Sequence, residues 1–164
     1  MKFRSLFESR TENLGVRIRP TDFKKIMDSG ERRFHFKWLT DNNFVISLNF
    51  SFGSNLIYDV NYPHTKSDII FYGKLTEIGE SEIEIKLRTR SKYFLAIPLI
   101  VFPMLIIGFQ IIMKLEFPIF LIALIFFPFT IMVFLNLIKG EENRLLAIFK
   151  EYLNNEIITH YNTI

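Results

Sequence analysis

Two long apolar stretches, separated by three residues, constrain this chain more than any other feature. They cover residues 93–113 and 117–138, are joined by the link Lys114-Leu115-Glu116, and contain no Lys, Arg, Asp or Glu. A helix rises about 1.5 Å per residue, so about 20 apolar residues cross a hydrocarbon core of about 30 Å. The two stretches therefore predict a transmembrane helical hairpin whose helices are antiparallel neighbours.

Cations cluster at both ends of this predicted hairpin. They are Lys86, Arg88, Arg90 and Lys92 before it and Lys139, Arg144 and Lys150 after it, whereas the link contains only Lys114. Cytoplasmic segments next to membrane spans are enriched in Lys and Arg, which predicts that both termini are cytoplasmic. The first ten residues, MKFRSLFESR, lack the apolar run of a signal peptide. We therefore expect an integral protein of the bacterial cytoplasmic (inner) membrane.

The rest of the sequence divides into one segment before the hairpin and one after it. In this chain of 164 residues we expect a cytoplasmic β-rich domain at 1–92, the hairpin at 93–138, and a cytoplasmic amphipathic helix with a tail at 139–164. The predicted fold class is an α+β membrane protein, in which a small antiparallel β-sheet domain is followed by a transmembrane helical hairpin and a C-terminal amphipathic helix.

The first segment shows the alternation of a half-buried sheet. In RFHFKWL and NFVISLNFSF every second residue is apolar, and the two runs flank the turn Thr40-Asp41-Asn42-Asn43. A period of two with such a turn predicts a β-hairpin with an aromatic inner face. LIYDV, IIFYGKL and EIEIKLRTR predict further strands, giving a sheet of four to six strands. Gly73 inside its strand indicates a bulge or a close approach to the backbone.

One more strand and two helices complete this prediction. GVRIR predicts a short strand at 15–19, and TDFKKIMDSG predicts a helix capped by Thr21 or Asp22 and ended at Gly30. Gly140 is expected to interrupt the helix before EENRLLAIFKEYLNNEI, whose apolar residues recur at helical spacing. This amphipathic helix either packs on the sheet or the membrane surface, or provides a surface for self-association.

Motifs for catalysis and metal binding are missing from the sequence. The chain has no cysteine, which excludes thiolate nucleophiles and Cys-ligated metals. His35, His64 and His160 do not stand at the spacings of a zinc site, and neither a phosphate-binding glycine loop nor a nucleophile elbow is present. We therefore expect a non-enzymatic protein with no catalytic residue, metal or cofactor. The mild net charge of +3 predicts no nucleic-acid partner.

A basic cluster before the hairpin is a candidate binding site. Lys86, Arg88, Arg90 and Lys92 alternate along the chain, so at strand spacing their side chains project to one side. A cation near an anionic lipid surface contributes on the order of 1 kcal/mol. Either these four residues only orient the protein in the membrane, or they contact anionic lipid headgroups.

Three segments resemble a group of small bacterial membrane proteins of unknown function. They are FYGKLTEIGESEIEIKLR at 71–88, the apolar hairpin, and LLAIFKEYLNNEI. Proteins of this group combine a cytoplasmic β-domain, two transmembrane helices and a short C-terminal helix. Their aromatic-rich central segment with R-N-S-F is missing here, where NLIYDVNYP stands. The resemblance implies this topology and no particular activity.

The sequence leaves three functions open. The first is an interaction or scaffolding module whose β-domain binds another membrane protein or a further copy of the chain. The second is a membrane-tethered sensor, effector or pore subunit that acts through oligomerisation, although the predicted spans lack the charges of a transport path. The third is an enzyme acting on lipids at the inner leaflet. The expected partners are the lipid bilayer and either a homo-oligomer or another membrane protein.

Overall fold

The structure is a computed structural model that describes residues 8–29, 32–49, 67, 69–79, 81–90, 96–113 and 117–162. Within these residues the chain forms five strands and three helices. The strands are β1 (Thr11–Val16), β2 (Phe34–Trp38), β3 (Asn43–Leu48), β4 (Ile70–Gly79) and β5 (Glu82–Thr89). The helices are α1 (Pro20–Ser29), α2 (Ala96–Met113) and α3 (Phe117–Asn162).

The chain divides into two compact units. The sheet unit comprises Arg10–Arg90 and Gly140–Ile164, and the helical unit comprises Met1–Ser9 and Ser91–Lys139. The boundary between the units falls inside α3 at Lys139. The sheet unit therefore contains all five strands, α1 and the C-terminal part of α3.

The five strands form one antiparallel sheet in the order β1-β5-β4-β3-β2. The predicted hairpin is confirmed, because β2 pairs with β3 from Phe34 opposite Leu48 to Trp38 opposite Phe44. The strand predicted at 15–19 lies earlier, at Thr11–Val16, where it pairs with β5. The strand predicted for LIYDV, at 56–60, lies outside the described residues.

Most of the core lies on one face of this sheet, which we call the inner face, although Val45, Ser47 and Ile70 on the opposite face are also buried. Phe44 on β3 is fully buried, and its ring centroid lies 6.3 Å from that of Phe23 on α1 and 6.2 Å from that of Phe149 on α3. Aromatic pairs at such distances contribute about 0.5–1.5 kcal/mol beyond the burial of their area. The other fully buried large side chains of the sheet unit are Phe71, Met27, Ile46, Leu48, Leu75, Ile83, Ile85, Leu87 and Leu145. Helices α1 and α3 thus cover the aromatic face that the alternation predicted.

Gly73 allows the central aromatic ring to lie directly on the backbone of β4. Gly73 is the cross-strand partner of Phe44, and a Cβ added at Gly73 would overlap that ring. The expected close approach is therefore confirmed at this position. The register irregularity of β4 lies elsewhere, between Glu77 and Gly79.

Helix α1 begins two or three residues before the starts that caps at Thr21 or Asp22 would set. The carbonyl oxygen of Arg19 accepts hydrogen bonds from the backbone N–H groups of Asp22 and Phe23, both at 3.0 Å. Pro20 is therefore the first helical residue, a position that suits its fixed φ and missing N–H. Asp22 lies in the first turn, where its carboxylate accepts a hydrogen bond from Arg19 Nε at 2.7 Å rather than capping the helix.

The C-terminal helix packs on the sheet, as one of its two interpretations predicted. Phe149 lies edge-to-face with Phe34 of β2 at 5.5 Å, and Leu145 and Leu153 are buried on the same side of α3. The expected break at Gly140 is wrong, because α3 continues through this residue without interruption. A single glycine costs a helix only about 1 kcal/mol relative to alanine, which the packing of the following turns offsets.

The transmembrane assignment is corrected by the structure. Taken over the residues that are described, neither α2 nor α3 has both the length and the apolar character needed to span a membrane. Helix α2 is described at Ala96–Met113 and contains Pro103. The second predicted span, 117–138, is not a separate element but the beginning of the 46-residue helix α3.

This correction extends to the predictions that depended on the hairpin. The α+β membrane fold class, the integral inner-membrane location and the membrane character assigned to the chain are wrong by the same finding. What stands of the predicted fold class is the antiparallel sheet with helices, since the described residues form a five-stranded sheet and three helices.

The helical unit shows large apolar side chains at its surface. Ile111 is 74% exposed and Ile125 is 68% exposed, and the stacked rings of Phe102 and Phe127 lie 4.4 Å apart. Two polar side chains of α3 in this unit bond to their own helix, and in the first of them Thr130 Oγ1 donates to the Phe126 carbonyl at 2.9 Å. The Asn136 amide likewise donates to the carbonyl four residues earlier, at 3.0 Å.

Candidate binding face of the sheet

The side chains that point away from the core form a second face of the sheet. Successive residues of a strand point to opposite faces, and directly paired residues share a face. Lys37 of β2, Val45 of β3, Tyr72 of β4 and Arg88 of β5 therefore form one row across four strands. Asn43, Lys74 and Lys86 form the adjacent row on β3, β4 and β5. We call the surface made by these two rows the basic face.

Four cations are exposed on the basic face. They are Lys37, Lys74, Lys86 and Arg88. Neighbouring strands lie about 4.8 Å apart, so Lys37 and Arg88, three strands apart, stand about 14 Å from each other at their backbones. The cations therefore cover an area rather than a line.

Two of these cations stand directly opposite each other. Lys74 of β4 pairs with Lys86 of β5, which places their Cβ atoms about 5 Å apart. Like charges directly opposite on a sheet are destabilising. Within the described residues, the side chains of Lys37, Lys74 and Lys86 take part in no ion pair or hydrogen bond. The register therefore holds two like charges opposite each other, and the nearest acid along β5 on the same face, Glu84, precedes Lys86 by two residues.

Acidic side chains lie at one end of this face. Glu82 and Glu84 share the outer side of β5 with Lys86 and Arg88, and Glu84 pairs with Thr76. Both acids precede Lys86, toward the turn between β4 and β5. The outer surface of β5 thus changes from negative to positive along the strand, and the positive part adjoins the cations of β4 and β2.

The structure brings together half of the predicted basic cluster. Lys86 and Arg88 are exposed on the basic face, as their alternation predicted. Arg90 follows the end of β5 and is half-buried, while Lys92 lies outside the described residues. These four residues keep their status as a predicted site for anionic lipid.

Sequence reasoning missed Lys37, Lys74 and Tyr72 as members of this surface. Lys37 was placed on the polar side of its strand, and IIFYGKL was recognised as a strand. The signal that would have joined them is the pairing register, which sets Lys74 opposite Lys86 and Tyr72 opposite Arg88. Lys74 and Lys86 lie on consecutive strands, but their register depends on the turn between the strands and on the irregularity between Glu77 and Gly79, which alternation alone does not predict.

A shallow groove lies elsewhere in the sheet unit, beside the C-terminal part of α3. It has a volume of about 200 Å³ and is lined by Arg33, Ile148, Glu151, Tyr152, Asn155 and Glu156. Tyr152 Oη donates a hydrogen bond to the carbonyl oxygen of Ile26 on α1 at 3.0 Å. Burial raises the pKa of the Tyr152 phenol, the nearby Glu156 carboxylate raises it further, and Arg32 opposes the shift.

Tyr152, which lines this groove, connects secondary structure elements, and its environment does not activate the phenol as a base. A phenol whose pKa is raised stays protonated at neutral pH, so Tyr152 is no base there. Its ring lies edge-to-face with Phe34 at 5.4 Å. Tyr152 therefore connects α3 to both α1 and β2.

Histidines and acids do not assemble a metal centre in the described part of the chain. No group of three or more His, Asp or Glu side chains there is placed to hold a metal ion. His35 lies on the outer side of β2 opposite Ser47, and His64 falls outside the described residues.

Comparisons with known proteins identify no relative, because no family model, no curated protein and no solved structure matches the chain. The geometry of the basic face is thus the observation on which a function can be based.

Proposed function

We propose that this protein is a non-enzymatic interaction module that presents the basic face to an anionic partner. The observation that carries the proposal is the pair Lys74 and Lys86, two exposed cations held directly opposite each other. A surface that only had to be solvated would gain stability by exchanging one of them for an acid. Two lysines at these positions are favourable once a negative group lies between them, because both side chains are then attracted to that group.

The expected strength of this interaction follows from the number of cations. Each cation near an anionic surface contributes on the order of 1 kcal/mol, so the four of the basic face contribute on the order of 4 kcal/mol. That amount corresponds to a roughly thousandfold increase in affinity at low ionic strength. Salt screens exposed charges over about 10 Å at 0.1 M, so the interaction weakens steeply as salt is added.

The proposal is tested by neutralising the central pair. The double variant Lys74→Gln/Lys86→Gln is compared with Lys139→Gln/Lys150→Gln, which removes the same charge from two exposed positions of α3. Retention on a cation-exchange resin is measured across a sodium chloride gradient. We expect the first variant to elute at clearly lower salt than the second. Equal elution of the two would show that net charge, not the basic face, governs binding, and would overturn the proposal.

A second candidate function is a sensor or effector that acts through oligomerisation. It is favoured by the exposed apolar side chains of the helical unit, since large exposed apolar patches mark association sites. The test is the molar mass of the full chain in a mild non-ionic detergent, which prevents non-specific aggregation. A defined oligomer supports this candidate, and a monomer at all concentrations excludes it.

A further inference from the structure

The chemistry of the basic face indicates which class of anionic partner it fits. We infer that this face docks on an anionic lipid surface, with phosphate headgroups between Lys74, Lys86 and Arg88. The inference rests on the proposed function and names the partner. It requires contact with headgroups only, so it needs no helix that enters the bilayer.

The charged area of the basic face extends over several strands. The cations lie in two adjacent rows over four neighbouring strands, from Lys37 on β2 to Arg88 on β5. A lipid surface presents its phosphates as a plane, so all four cations can face phosphates at once. Because this is the broad side of the sheet, the backbone of the central strands is already paired and offers no edge for an added strand.

The basic face lacks the anchors that a protein partner of ordinary composition requires. Protein interfaces derive most of their affinity from aromatic or apolar anchors in desolvated pockets, and Lys is depleted from them. On the basic face Val45 is already buried and Tyr72 is half-buried, so neither projects as an anchor. The exposed side chains of the two rows are instead the four cations, and the rows continue on β1 with the exposed polar residues Thr11 and Asn13.

The basic face also lacks the aromatic side chains of a surface that binds nucleic acid. Proteins that bind single strands on a sheet stack bases on two or three aromatic side chains. The two rows contain one aromatic residue, Tyr72, and it is not fully exposed. The acids Glu82 and Glu84 continue the outer side of β5 beyond Lys86, where they would repel a phosphate backbone following that strand.

The experiment measures vesicle binding by the full chain. Co-sedimentation is compared between vesicles of phosphatidylcholine alone and vesicles of phosphatidylcholine with phosphatidylglycerol in equal parts. The ratio of the two affinities isolates the electrostatic part, because apolar contacts of the helical unit contribute to both. We expect a preference for the anionic vesicles that Lys74→Gln/Lys86→Gln lowers by about 30-fold.

Two further variants keep this test decisive. Lys74→Arg/Lys86→Arg preserves the charge and is expected to retain the preference, while Lys139→Gln/Lys150→Gln controls for net charge. Far-UV circular dichroism and the thermal midpoint establish that each variant is folded. An unchanged preference in the Lys74→Gln/Lys86→Gln variant would overturn the inference.

Competing anions separate this inference from the proposed function. Polyglutamate and a single-stranded oligonucleotide are each titrated against the wild type and Lys74→Gln/Lys86→Gln. If either binds more tightly than the anionic vesicles and loses that affinity in the variant, the lipid assignment fails but the basic face remains a binding surface. If no anion distinguishes the variant from the matched control, the proposed function fails with it.

Discussion

The two faces of the sheet have opposite relations to their surroundings. On the inner face, Phe44 fits against a glycine backbone and is enclosed by rings from α1 and α3. On the basic face, Lys74 and Lys86 stand opposite each other as like charges without an ion pair in the described residues. The inner face is complementary within the chain, whereas the basic face is the surface that we propose binds a negative partner.

This difference separates stability from binding within a single element. Burial of aromatic and aliphatic side chains stabilises the fold by about 1.5–3 kcal/mol each. Exposed charges on a sheet change stability by a few tenths of a kcal/mol. Substitutions on the inner face are therefore expected to affect folding, and substitutions on the basic face are expected to affect binding.

The largest expected effect is the loss of the central ring. Phe44→Ala removes the side chain that contacts Phe23, Trp38 and Phe149, and leaves a cavity that the backbone of β4 cannot fill. We expect the free energy of unfolding to fall by about 3–5 kcal/mol in chemical denaturation. Lys37→Ala, an exposed substitution on the opposite face, is the control, with an expected change within about 0.5 kcal/mol. Equal losses in both would contradict the division between the faces.

The next effect tests the close packing at Gly73. Gly73→Ala places a methyl group where the Phe44 ring lies, so we expect a loss of about 1–3 kcal/mol from overpacking. Adding Phe44→Leu frees space and is expected to recover part of this loss. A double-mutant cycle in urea measures the coupling between the two positions. Additive changes would mean that the ring and the glycine are not in contact.

A smaller effect is expected from the bond between α3 and α1. Tyr152→Phe removes the hydrogen bond to the Ile26 carbonyl but keeps the ring against Phe34, so we expect a loss of about 1 kcal/mol. The measurement is the urea midpoint at neutral pH. Lys150→Gln, an exposed substitution on the same helix, is the control and is expected to change stability by less than about 0.5 kcal/mol.

The pH dependence of stability gives an independent view of Tyr152. Its folded pKa is raised above the ordinary value of 10.0, chiefly by burial. Its contribution is therefore fully present below pH 10.0 and is lost as pH rises through the folded pKa. We expect Tyr152→Phe to show a shallower decline of unfolding free energy in the alkaline range than the wild type. Identical alkaline declines would contradict the assigned shift.

The smallest effect on stability is expected from the opposed cations. Lys74→Gln relieves the repulsion with Lys86, so we expect unfolding free energy to rise by about 0.2–1 kcal/mol at low salt. The gain is expected to shrink at high salt, since screening already weakens the repulsion in the wild type. A loss of stability on this substitution would mean that Lys74 supports the fold through contacts of its stem.

The sequence predicted the elements whose patterns are local. Alternation identified the β2–β3 hairpin, and helical spacing identified the face of α3 that carries Leu145, Phe149 and Leu153. Gly73 inside its strand predicted a bulge or a close approach, and the structure shows the close approach. These features depend on residues within one or two turns of each other.

The features that sequence reasoning missed depend on strand register and on contacts between separate elements. Lys74 and Lys86 become neighbours through the register of β4 and β5 around an irregularity at Glu77 and Gly79. The apolar runs were assigned to membrane spans by their length, yet α3 continues through Gly140 into turns that pack on the sheet. The length of an apolar run does not predict where its helix ends, because the end of the helix depends on what the following turns contact.

The most direct test of the separation between the faces measures folding and binding on the same variant. For Lys74→Gln/Lys86→Gln, the free energy of unfolding and the preference for anionic over neutral vesicles are determined in one buffer. We expect unchanged or slightly higher stability together with about a 30-fold loss of that preference. A variant that loses stability and binding together, or keeps its preference, would contradict the assignment of folding to the inner face and binding to the basic face.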